Sequence, residues 1–495
     1  MTRHLHLVSA VVATAALFCG TTLRADVFVY LDQAGNEKTL EARLAGTGQG
    51  AMALERADGQ IILVAESLIR DRAAAAGPEP IDADAMVHLL EERFGTDHVR
   101  TSIDKPFVIA LVLSAPLDRR AERQVTGFVT KASRFMSNVD AVFTRFIRDM
   151  RIPMRKPEYP LVLLIFESDT DFNRYATEVT GGNGLSASRM AGFYSSLTNW
   201  LAVRMSACDT FEVPLHEAIH QQMYNRVFQR LAAIPVWFDE GIATGFESDG
   251  ERIDVHPARV NSRYARQAKQ LDGPVTWESV ITDDSAFRGD ILAGDAYTHA
   301  WSLHWMLVKR YRDQYRDYVT SLASREPLQE QSEAERLRSF EAAFGTTVPE
   351  LFAEFPRVLD SEIRRQRVSL REPARAGELV TQDQLGEVRM QAVRRADLAG
   401  QLLVQGELRN ASPFRTLCYH VTVETDAGLY AEWFVPDLGS GRKSPLKRQI
   451  VRKRMQNAPG GLSQTFRVRI RSALSESEDA AAWKRGELPV PVYGR

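Results

Sequence analysis

Three absences narrow the reading of this chain. Cysteine is nearly missing, at 3 in 495 residues, and Cys19, Cys208 and Cys418 are too few and too scattered for a disulfide framework. Neither sign of charge is in surplus: 62 basic against 64 acidic side chains leave a net charge of −2, which makes no case for nucleic acid as a partner. Beyond residue 25 no stretch approaches the roughly 20 uninterrupted apolar residues of a spanning helix, and 108–115 suits only a buried strand. The glycine-rich run 180–184 lacks the lysine and helix signature of a phosphate cradle.

What is present is globular protein, 44% hydrophobic and 25% charged, long enough for roughly two to four domains. Residues 1–25 stand apart: Arg3 precedes an apolar run over 7–19, and Ala25 supplies a small residue for cleavage, which is the pattern of a secretory signal peptide. Phe18 stands where a small residue would precede a lipidated Cys19, so lipid attachment is disfavoured. The expected mature protein is exported (periplasmic, cell-envelope or secreted) and has no transmembrane segment.

The chemistry concentrates in His216-Glu217-Ala218-Ile219-His220, followed by Glu240 in a stretch with Pro235, Trp237, Gly241 and Ala243. Residues four apart on a helix share a face, so His216 and His220 can reach one ion, with Glu217 beside them to take a proton from water that the metal acidifies. A hydrolytic zinc site needs a third protein ligand and an open position; Glu240 suits that ligand role. Helicity is expected from Leu215, Ile219, Met223 and Val227 at helical spacing, with Asp209 or Thr210 as N-cap and Glu212 completing a capping box. Pro235 suits the first turn of a second helix, and Gly241 and Gly245 remove bulk where two helices approach closely. Bare HExxH also arises by coincidence; the downstream Glu240 and its proline and glycines are what set this one apart.

His216-Glu-Ala-Ile-His-Gln221 with Pro235-x-Trp237-x-x-Glu240-Gly241-x-Ala243 resembles the gluzincin zinc metallopeptidases, most nearly the peptidase-MA-like bacterial group. The resemblance covers roughly residues 100–360, with its strong motifs inside 190–310. It implies an α+β gluzincin fold with one Zn(2+) held by His216, His220 and Glu240, and Glu217 as general base. Two further expectations follow from it. Two short strands over 192–205, around a Ser-Leu-Thr-Asn turn, correspond to the edge that pairs with extended substrate in gluzincins, with an ordinary hairpin as the alternative. Tyr297 corresponds to the tyrosine that donates to the oxyanion, the alternative being a core aromatic. The Gly-x-Met-Glu-Asn element that holds a free amino terminus in one gluzincin branch is missing, so an endopeptidase is favoured over an aminopeptidase.

Other candidates are weaker. His299 could be an alternative oxyanion donor, yet a lone histidine on an apolar helix is more often a core residue. His304 and His256 are the other histidines nearby. Asp239 and either Thr244 or Glu247 could orient a ligand imidazole, although Asp239 reads more simply as solvated. Cys208 lies near the zinc helix as a remote ligand candidate.

The flanks alternate in strand fashion. Residues 26–72 resemble the SH3-like β-barrels found before exported bacterial hydrolases, 73–82 read as a linker, 83–368 as the zinc peptidase domain, 369–385 as a second linker, and 386–495 as an immunoglobulin-like β-sandwich. Within the central domain, strands are expected over 98–115 and 161–166 and a long amphipathic helix over 117–150. The cluster Lys443, Lys447, Arg448, Arg452 and Lys453 reads as a solvated loop, the alternative being contact with an anionic polymer. Three functions compete: an exported zinc endopeptidase acting on protein or peptide, a non-catalytic binding or surface-attachment protein on a peptidase-like scaffold, and a zinc amidase acting on cell-wall peptide. Cell-envelope association through the β-modules is a further expectation.

Overall fold

The computed structural model describes residues 24–32, 34–76, 78–117, 119–181, 191–208, 212–247, 256–271, 273–287, 293–370, 378–383, 385–394, 402–425, 429–453 and 466–489. The signal-peptide expectation, most of the glycine-rich run 180–184 and the N-cap Asp209 or Thr210 lie outside these residues. The architecture is mixed α/β, with β-sheets at both ends flanking a helical middle.

The N-terminal strands β1 (Arg24–Leu31), β2 (Glu37–Gly48), β3 (Ala51–Glu55), β4 (Ile61–Ala65) and β5 (Ile69–Ala76) form one antiparallel sheet in the order β4-β3-β2-β1-β5. The expected barrel is not closed, because β4 and β5 are opposite edges of that order. Residues 73–76, expected as linker, continue β5 and pair with β1 as far as Arg24↔Ala76. Composition alone did not reveal the partner strand.

The sheet leans on the central domain instead of curling shut. The Ile61 N–H donates to Leu197 O at 2.7 Å. A Cβ on Gly48 would lie 2.2 Å from Leu328 O, so glycine is required where the two backbones meet.

The central domain begins with α1 (Ala83–Phe94), β6 (Val99–Asp104), β7 (Phe107–Val112), α2 (Arg119–Asp149), β8 (Leu161–Phe166), α3 (Asp169–Thr180), β9 (Gly192–Tyr194) and β10 (Trp200–Arg204). Its sheet order is β6-β7-β8-β10-β9; β7, β8 and β10 run parallel while β6 and β9 are antiparallel edges. Every side chain of β7 and β8 is buried, as expected for strands covered on both faces. One face packs on α1 and α3. The other meets α2, whose Val125, Val129, Met136, Val139, Phe143 and Phe146 recur at helical spacing and are all buried. At about 1.5–3 kcal/mol for each large apolar side chain, this stripe is a main source of the domain's cohesion.

The helices α4 (Glu212–Arg226), α5 (Val236–Phe246), α6 (Ser262–Ala268), α7 (Trp277–Thr282), α8 (Ala293–Arg310), α9 (Arg312–Ala323), α10 (Glu333–Phe344) and α11 (Val348–Gln366) follow. Pro235 stands at the N-cap of α5, one position earlier than expected. Gly241 serves the close approach of two helices, since a Cβ there would meet Ala300 O at 2.7 Å and His304 Cβ at 2.8 Å on α8, whereas Gly245 makes room chiefly for Pro257, outside any helix.

The C-terminal strands are β11 (Glu378–Asp383), β12 (Gly386–Arg394), β13 (Leu402–Asn410), β14 (Leu417–Thr425), β15 (Leu429–Leu438), β16 (Lys443–Lys453) and β17 (Phe466–Leu474), with α12 (Glu478–Lys484) after them. Strand β11 occupies part of the expected 369–385 linker, and the basic cluster over 443–453 is strand β16, not a loop. The seven strands form a single hydrogen-bonded order, β11-β12-β13-β16-β15-β14-β17. That sheet bends back on itself: Tyr419 OH on β14 donates to Leu385 O beside β12 at 2.6 Å, and Gly386 abuts Ile470 of β17. Arg415 ties the module to the centre through Glu167 at 2.6 Å and Ala115 O at 2.7 Å.

Candidate metal centre

Helix α4 carries His216 and His220 one turn apart, so their rings share a face, with centroids 4.9 Å apart. Helix α5 crosses that face and delivers Glu240. His216 Nε2 lies 3.0 Å and His220 Nε2 3.8 Å from the same oxygen, Glu240 Oε2. Among the described residues, His216, His220 and Glu240 form a group able to hold a metal ion, with their donor atoms all within 4.8 Å of one another.

The other ring nitrogens point outward, each to a carboxylate. His216 Nδ1 pairs with Glu247 Oε1 at 2.9 Å, and His220 Nδ1 with Asp239 Oδ1 at 2.8 Å. This division is what an imidazole ligand requires, since the outer carboxylate fixes the tautomer and leaves Nε2 as the donor. Asp239, expected to be solvated, is instead a partner of His220, and its side chain is only 18% exposed. Adjacent residues on α5 project in different directions, so Glu240 reaches the Nε2 side and Asp239 the Nδ1 side. Thr244 plays no such part, because its hydroxyl donates to Glu240 O at 2.7 Å within the helix. Glu247 is itself held by the Tyr264 hydroxyl at 2.9 Å.

Burial works against a charged imidazole, but here the carboxylates outweigh it. His216 is raised well above its ordinary value by Glu240 and Glu247, and His220 is raised to about 9 by Asp239, in both cases against desolvation. For Glu240, burial pushes upward and the hydrogen bond from His216 and the nearby His220 charge pull it below the usual carboxylate range. Two imidazoles, one inward carboxylate and two outward ones make a pocket that favours positive charge. The donor set fits a divalent cation.

Glu217 faces a cleft of about 360 Å³ together with His216, Tyr297, Gly192, Val213 and Arg263. Its Oε2 accepts the Tyr194 N–H of β9 at 2.9 Å. The β10-facing bonds of the hairpin involve Ala191 and Ser195, so by alternation the main-chain groups of Gly192 and Tyr194 turn outward, and Glu217 has taken one of them. Tyr297, near the start of α8, also belongs to the cleft: its hydroxyl helps hold Glu240 ionised, and its ring lies 6.4 Å from that of His216. Burial and then the charges of Glu240, Glu217 and Glu247 push the phenol well above its usual range, so it remains a neutral donor.

The remaining candidates lie elsewhere. His304 Nε2 bonds to the Tyr315 hydroxyl at 2.8 Å, and burial pulls its pKa to about 3. His299 is likewise pulled down to about 4, chiefly by burial. His256 Nδ1 accepts the Ala258 N–H at 3.0 Å beside Phe146. Cys208 Sγ donates to Arg204 O at 3.4 Å and is not a ligand.

Sequence reasoning missed a polar brace between α4 and the hairpin. Asn199 Nδ2 donates to Asn225 Oδ1 at 2.9 Å, Asn225 Nδ2 returns a bond to Asn199 Oδ1 at 2.7 Å, and the Tyr194 hydroxyl joins the latter at 2.9 Å. Asn199 adopts φ 63°, a left-handed conformation that asparagine tolerates; its place in the Ser-Leu-Thr-Asn turn was the available hint. Tyr224, one turn past His220, donates to Asp239 Oδ2 at 3.1 Å.

The family described as a protein of unknown function (DUF1570) matches residues 213–329, a span that contains both metal-site helices and α8. No curated protein gives a significant match to the chain.

Proposed function

We propose that the chain is an exported zinc metallopeptidase of the gluzincin type that cleaves within protein or peptide chains. The observation that carries this reading is the convergence of His216, His220 and Glu240 donors within 4.8 Å, with both outward nitrogens committed to carboxylates. Two nitrogens and one oxygen suit zinc in a hydrolytic site. Bound there, the ion would supply Lewis acidity, polarising a substrate carbonyl and acidifying water.

The chain's own residues have separable tasks. Glu217 has one oxygen anchored on the Tyr194 N–H, and its other oxygen has no hydrogen-bond partner among the described residues. That free oxygen takes the proton of the attacking water and passes it to the leaving amine. Tyr297, kept neutral by its surroundings, donates to charge that develops on the carbonyl oxygen. The outward main-chain groups of Gly192 give an extended peptide a strand to pair with beside Glu217.

Metal analysis and a broad peptide library test the proposal with wild type and Glu217→Gln. Stoichiometric zinc in both proteins is expected, with cleavage reduced by about 10²–10⁴-fold in the variant. Wild type that binds zinc but cleaves no peptide would leave the binding or surface-attachment reading. Cleavage confined to cell-wall peptide amides would favour the amidase.

A further inference from the structure

We infer that Tyr224 is a positioning residue for the metal centre, fixing His220 through Asp239; this rests on the zinc reading above. Tyr224 follows His220 by four residues, so helical geometry returns it to the same face of α4. Its ring has little freedom. It stacks on Tyr194 with centroids 5.9 Å apart at 20°, and it meets Phe228 edge-on at 6.0 Å. The hydroxyl is thereby presented at a fixed place, and it donates to Asp239 Oδ2 at 3.1 Å.

Asp239 then has both oxygens committed, Oδ1 to His220 Nδ1 and Oδ2 to Tyr224. A carboxylate held by one donor can turn about its terminal bond, whereas two separate donors fix its plane. The plane of Asp239 sets the direction in which His220 Nδ1 must point, and so where Nε2 points on the opposite side of the ring. Tyr224 touches neither the candidate ligand atoms nor the cleft beside Glu217; it lines a separate cavity against the N-terminal sheet with Arg43, Glu55 and Arg230. Its hydroxyl bonds to the centre through Asp239.

The stacked partner makes the placement more specific. The Tyr194 N–H anchors Glu217 while its ring supports Tyr224. One aromatic pair therefore stands behind both the base and a ligand histidine. The Tyr224 hydroxyl is the part of that pair whose removal leaves the packing unchanged.

The test uses the full-length protein and zinc itself, with affinity read by competition against a chromophoric chelator and coordination read from the visible spectrum of the cobalt(II)-substituted protein. Partners of ligand histidines contribute about 10- to 100-fold in metal affinity, and Tyr224 acts one bond farther out, so Tyr224→Phe should weaken zinc binding by about 5- to 10-fold. It should also shift the cobalt spectrum while leaving the melting temperature of the metal-free protein within a degree or so of wild type, as only a hydroxyl is lost. Asp239→Asn should weaken binding at least as much. The double variant should be no weaker than Asp239→Asn alone, since the hydroxyl acts through the carboxylate. Zinc affinity of Tyr224→Phe within twofold of wild type, or additive effects in the double variant, overturns the inference while the zinc reading stands. Wild type that takes up neither zinc nor cobalt overturns both.

Discussion

Two pairs of histidines, all buried or nearly so, on neighbouring helices meet opposite fates. On α4, His216 and His220 are surrounded by Glu240, Glu247 and Asp239 and are driven toward the charged state. On α8, His299 is buried, His304 is buried against Phe238 and Tyr315, and both are driven toward neutrality. Burial opposes charge in all four. What separates them is whether carboxylates bond the rings directly: Asp295 acts on His299 too weakly to offset burial, and of these four rings those of His216 and His220 belong to the group able to hold a cation.

The comparison breaks most sharply on metal content. His216→Ala or His220→Ala should abolish stoichiometric zinc, whereas His299→Gln and His304→Gln should retain it; elemental analysis of the purified proteins distinguishes the two outcomes. Loss of zinc in the α8 variants with the fold intact would mean that the helices do not divide the work in this way.

Acid stability sharpens the same contrast from the other side. His304 has a folded pKa near 3 against an unfolded value of about 6.5. Because the unfolded chain binds the proton more readily, the stability due to neutral His304 is complete above pH 6.5 and is lost as pH falls toward 3. That loss amounts to a few kcal/mol, because each tenfold difference in proton affinity between the folded and unfolded chain is worth about 1.4 kcal/mol. Denaturant midpoints measured between pH 7 and 4 should fall steeply for wild type and more gently for His304→Gln. Equal slopes would assign the acid sensitivity to other groups.

The smallest effect concerns the seam between the two helices. Gly241→Ala inserts a methyl 2.7 Å from Ala300 O, which should cost about 1–3 kcal/mol in a thermal melt. The shift pushes α5 away from α8, so zinc affinity should fall as well, through displaced Glu240. A variant as stable as wild type would show that the seam can give.

The parts of the site that follow local periodicity were legible in the sequence. His216, Glu217 and His220 needed only a helix, Glu240 needed a second helix at a plausible distance, and Gly241 announced a close crossing. The outer carboxylates were harder to read. Asp239 looked solvated because its role depends on how α5 lies across α4, which no spacing within either helix reveals. The anchor of Glu217 is a main-chain N–H and has no sequence signature at all. Among the sheets, strands were visible from alternation and turns, but pairing order is non-local: an alanine run joined β5, and a basic run joined β16.

Arg230, just beyond the metal-site helix, donates to Gly59 O at 2.6 Å and Ser196 O at 3.3 Å and pairs with Glu55. Its guanidinium is thus a knot tied to two distant stretches of chain, the β3–β4 hairpin and the turn of the hairpin that anchors Glu217. The consequence is a matter of inheritance. Moved by itself into another protein, the helical unit would lack residues 24–76 and carry an enclosed cation stripped of its carboxylate and one of its carbonyls. The first sheet and the metal-site domain are expected to descend as a single unit.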